Sequence, residues 1–249
     1  MNWMTQPWKL DPRCVLPRGD AGSFDDCVVG DPCIAWDDRI NSWRMFYFAA
    51  TADDVCTSAC AISRSAEDAG PGHWRKTGQI AFTNPQNLGK ATGWHKPWIV
   101  LDPFRHNRAA VIDGRYWLLW STTSPGKVIQ AAWSQTLAGS WTIAGEPLLV
   151  PTGNDAPDGL NCDAPSAYWF ADRGEVLIYY MAYPKMAQAG QPGAPFGSAI
   201  QAAWWRPGQP HAARTDPILL PGNGRTWASG WLGGFQLLHD DQASWYGLL

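Results

Sequence analysis

The chain writes one pattern of apolar and polar positions four times. A short apolar run, a tight polar turn and a second, aromatic-rich apolar run follow one another at 31–36, 37–42 and 43–48. The same order returns at 109–112, 113–114 and 116–120, again at 166–171, 172–174 and 176–182, and again at 231–238, 239–242 and 245–249. Runs of this length, bounded by Asp, Asn and Gly, predict β-hairpins. A second motif follows each hairpin at a distance. It begins at Trp8 (WKLDPRCVLP), Trp74 (WRKTGQIAFTNP), Trp141 (WTIAGEPLLVP) and His211 (HAARTDPILLP), starts that lie 66, 67 and 70 residues apart. Between hairpin and Trp-strand sits a third apolar strand, as in CAISRS, IQAAWS and AIQAAWW. No window sustains a 3.6-residue period, so no long helix is expected.

A four-strand antiparallel unit repeating every 60 to 70 residues cannot bury both faces alone. Stacking such units around an axis does, which is the logic of a β-propeller. The expectation is therefore an all-β chain forming a single propeller domain over 1–249. Blades are expected at about 24–83, 94–151 and 160–221, with a partial blade at 226–249. The strand at 8–17 has no blade of its own and is expected to close the last one as its outer strand. The fourth unit stops inside its second strand, so the chain reads as a fragment.

Composition narrows the partners. At 45% hydrophobic and 16% charged, the 249 residues can bury a sizeable core under a charge-poor surface. A net charge of -3 with no basic cluster argues against nucleic acid. No stretch has the length and apolarity of a membrane-spanning helix, and the first residues lack the apolar core of a signal peptide. The expected location is the cytoplasm. Six cysteines, without a CxxC pair or His spacing, suggest buried free thiols and no metal or cofactor. Seventeen tryptophans read mainly as packing between sheets, with some faces free to stack on sugar rings.

In a propeller the innermost strands begin at the mouth of a central channel, so residues ahead of them converge. Asp26 and Asp31, then Asp102 with the run Arg105, His106, Asn107 and Arg108, then Asp163, occupy such places in three successive units. Gathered carboxylates can divide into acid and base. Two guanidinium groups and an imidazole suit an anion, with His95 and Lys96 nearby. Each Asp taken alone also fits a turn or cap. Trp36, Trp94, Trp98 and Trp169 are candidate sugar platforms.

The order Asp-Pro, apolar strand, Asp-Gly turn, aromatic pair resembles the five-bladed propeller glycoside hydrolases of families 32, 43 and 62 and the related mannoside phosphorylases of family 130. The resemblance implies a carbohydrate substrate and paired-carboxylate cleavage in the channel. Asp31 of Gly30-Asp31-Pro32 matches the first-blade base or nucleophile, with Asp26 a competitor. Asp163 of Asp163-Ala164-Pro165 matches the third-blade acid, where those families carry Glu. The second-blade counterpart by hairpin register is Asn107, which cannot ionise, and Asp102 lies five residues earlier. A carbohydrate-binding propeller without catalysis, and a phosphorylase, are the alternatives.

Overall fold

The computed structural model describes residues 11–84, 93–105, 107–122, 126–153, 156–184, 198–216, 219, 232–239 and 245–248. These residues form strands and turns, with no helix among them. The first group runs antiparallel through β1 (Val28–Asp37), β2 (Ser42–Ala50), β3 (Cys56–Ser63) and β4 (Trp74–Gln79). The third repeats it with β11 (Asn161–Phe170), β12 (Glu175–Tyr183), β13 (Ala199–Trp205) and β14 (Ala213–Arg214). The Trp-strand motif at 74 opens β4, and the His211 motif leads into β14.

The middle group departs from expectation. Its first strand is β5 (Trp94–Ile99), which pairs with β8 (Tyr116–Thr122), then β9 (Ile129–Ser134) and β10 (Thr142–Ile143). The hairpin read at 109–112 is only a tight turn, closed by Ile112 and Arg115. Residues 101–109 instead make an excursion with two short strands, β6 (Leu101–Asp102) and β7 (Arg108–Ala109). β6 lies parallel to β11 at Tyr168 and β7 parallel to β1 at Trp36. The excursion thereby joins the first and third groups into one ten-stranded sheet, beside the four-stranded middle sheet and a hairpin of β15 (Gln236–His239) and β16 (Trp245–Leu248). These sheets do not close on themselves.

The second strand of each outer group is buried on both faces, which is why MFYFAA in β2 and VLIYYMA in β12 are continuous apolar runs. Trp117, Trp120, Trp141 and Trp205 fill the core between groups, as the packing reading of tryptophan requires. Cys33, Cys60 and Cys162 are buried thiols, but Cys14 and Cys27 are exposed, against expectation. The expected closing strand at 8–17 is described only over 11–17, where no strand forms. Leu16 there is buried in one apolar cluster with Met45 and Tyr47 of the first group.

Candidate functional site

Three first strands carry the same irregularity. β1 bulges between Gly30 and Cys33, β5 between His95 and Trp98, and β11 between Asp163 and Ser166. In each, the residue before a proline is left-handed: Asp31 at φ 46°, Lys96 at 54° and Ala164 at 47°. A side chain in that conformation costs about 1–2 kcal/mol, and a following proline disfavours helical φ/ψ further. Bulges re-aim side chains, and such strain gathers where the surroundings over-determine it. Here all three steps, with Gly233 and Gly234 from the next repeat, line one cavity of about 470 Å3. Residues 31, 96, 164 and 234 are 65, 68 and 70 apart, the period of the Trp-strand motif.

Asp31 is exposed and lines this cavity with Lys96 and Trp98. Asp163 stands behind it at 1% exposure. Its carboxylate accepts from Ser121 Oγ at 2.6 Å, Lys127 Nζ at 2.8 Å, Lys96 Nζ at 3.3 Å and the Ala164 amide at 2.8 Å. His95 Nδ1 lies 3.6 Å away, beyond hydrogen-bond length, and its ring packs edge-on against Phe48. Burial pushes the Asp163 carboxyl up, but His95, Lys96 and Lys127 together outweigh it and hold the group well below the carboxylate range. Burial, then Asp163 and Asp31, push the Tyr183 phenol up to about 12, so one hydroxyl feels both carboxylates.

The remaining sequence candidates lie elsewhere. Asp102 and Asn107 line a separate hollow of about 130 Å3 with Tyr168 and His239. Asp102 accepts the Phe104 amide at 3.0 Å, as a turn residue does. Arg105 is exposed in the same turn. Arg108 ion-pairs with Asp38 and sits over the Trp36 ring. Because β7 meets β1 at Trp36, five residues beyond Asp31, this cluster is roughly 15 Å along the strand from the cavity. The register of the excursion is the reason: it returns along the far ends of β1 and β11. His106 lies outside the described residues. Asp26 caps a loop, accepting the Gly22 and Ala52 amides at 2.8 and 3.0 Å. Trp94 stacks on Phe82 at 4.0 Å, and Trp169 packs against the core. Lys127 and Ser121 carry no motif, since neither stands at the start of a first strand. Lys96, read from the sequence as a neighbour of the Arg105–Arg108 run, lines the Asp31 cavity instead and pairs with Asp163.

No family model and no curated protein matches the sequence. Solved structures match by shape. A protein from an RGII complex superposes with a TM-score of 0.60 at 17% identity, over 84% of this chain and 62% of that one. A family 117 glycoside hydrolase from the marine bacterium Zobellia galactanivorans gives 0.59 at 15% identity, over 84% and 62%. The fold is that of the propeller glycoside hydrolases. A thermostable family-43 glycoside hydrolase gives 0.57 at 16% identity, over 87% and 63%. The chain thus spans somewhat under two thirds of the propeller structures it matches.

Proposed function

We propose that this is a carbohydrate-active propeller that binds a glycan in the cavity of Asp31, Lys96 and Trp98, without paired-carboxylate cleavage. The strand groups are its blades, in the five-bladed manner of the hydrolases it resembles. Asp163 carries the proposal. A glycosidase acid must hold a proton at working pH, which takes a raised pKa. Asp163 is shifted the other way and is engaged by two ammonium groups and a hydroxyl. Among the described lining residues Asp31 is the one carboxylate. It can accept sugar hydroxyls while the Trp98 ring offers an apolar face.

Hydrolysis is the second reading, favoured by Asp31 at the Asp-Pro step where the resemblance places a base. Calorimetric titration with an oligosaccharide panel, alongside aryl-glycoside turnover with and without phosphate, separates them. Asn is tolerated at positive φ, so Asp31→Asn keeps the backbone. Binding without turnover, weakened at least about tenfold in Asp31→Asn, is the expected result. Wild-type turnover without phosphate, abolished by Asp31→Asn in a folded protein, would establish hydrolysis instead.

A further inference from the structure

Resting on the carbohydrate reading of the cavity, we infer that its ligand bears an anionic substituent, a carboxylate or a sulfate, held by Lys96. The four equivalent positions bring together an acid, an ammonium, a methyl group and a glycine: Asp31, Lys96, Ala164 and Gly234. A neutral sugar needs no cation there, and a glycine would relieve the strain at 96. The chain instead places a lysine in left-handed backbone at φ 54°.

Charge balance points the same way. Asp163 is one carboxylate shared by two ammonium groups, and Lys127 makes the shorter contact, 2.8 Å against 3.3 Å. Lys96 is the looser partner and the one that lines the cavity. An ammonium has three donors, and the contact with Asp163 engages one of them. The trio carries one positive charge in excess, and Asp31 stands across the same pocket as its opposite pole. Asp31 repels an acid group and accepts hydroxyls. The ligand is therefore oriented, acid toward Lys96 and hydroxyl face toward Asp31. Asp163 is a positioning residue that fixes the ammonium from behind.

The test is calorimetric titration of the whole chain with matched oligosaccharides: neutral hexose, the corresponding uronate, and the sulfated form. The acidic members should bind about tenfold or more tighter than the neutral one, and the advantage should shrink as salt rises. Lys96→Asn, a residue that tolerates positive φ, should erase the preference, and Lys96→Arg should retain it. Comparing uronate with sulfate tells which anion the pocket fits. Neutral sugars binding as tightly as acidic ones, or a preference that survives Lys96→Asn in a folded protein, would overturn the inference and leave the carbohydrate reading standing. Binding of none of the sugars would overturn both.

Discussion

At the scale of single residues, Asp163 sets the electrostatics of the site. A carboxylate at 1% exposure stays ionised because four donors and a nearby imidazole surround it. Removing its charge strands two lysines, so Asp163→Asn should destabilise the fold by about 3–5 kcal/mol in urea unfolding. A change within about 1 kcal/mol would show that the lysines find solvent instead. The pH dependence follows from the sign of the shift. The folded pKa lies below the unfolded value of about 3.9, so this contribution is present above that pH and is lost as pH falls through and below it. Wild type should lose stability more steeply than Asp163→Asn on acidification below about pH 5.

At the scale of elements, the left-handed step before proline is what turns three strands into one site. Ala164 offers a clean probe, since its φ of 47° suits glycine. Ala164→Gly should be neutral or stabilising by up to about 1 kcal/mol, whereas Ala167→Gly in the regular part of β11 should cost about 1 kcal/mol or more. Equal losses at both would mean the bulge stores no strain. The same step explains what can be read from the letters. Asp31-Pro32, Lys96-Pro97 and Ala164-Pro165 are visible as dipeptides, and the first and third stand in first strands, where the repeat puts them. The second is hidden by a rival. Asp102-Pro103 has the letters of Asp31-Pro32, yet Asp102 sits in a two-residue strand and turns its carboxylate to the Phe104 amide. Letters alone do not distinguish the bulged step from the turn: Asp31 is left-handed, whereas Asp102 is not.

At the scale of the molecule, the repeat is legible because apolar periodicity survives divergence, and an all-β chain follows from it. How the excursion at 101–109 joins two groups is not legible, since parallel pairing leaves no local mark. A second repeat shows only in the folded chain. Asp25 accepts Tyr47 at 3.2 Å and pairs with Lys76 at 2.6 Å, and Asp158 accepts Tyr180 at 3.0 Å and pairs with Arg214 at 2.6 Å. Each pins the loop before a first strand to the strands that follow. Tyr180→Phe should therefore cost about 1.5–3 kcal/mol in thermal or urea unfolding, and Tyr47→Phe a similar amount. No loss in either would remove these contacts from the account of the fold. The central claim concerns where a ligand goes. A crystal structure of the chain soaked with an acidic oligosaccharide should show it between Asp31 and Lys96, across Trp98. A sugar seated instead against Asp102, Asn107 and His239, at the far ends of the same strands, would contradict it.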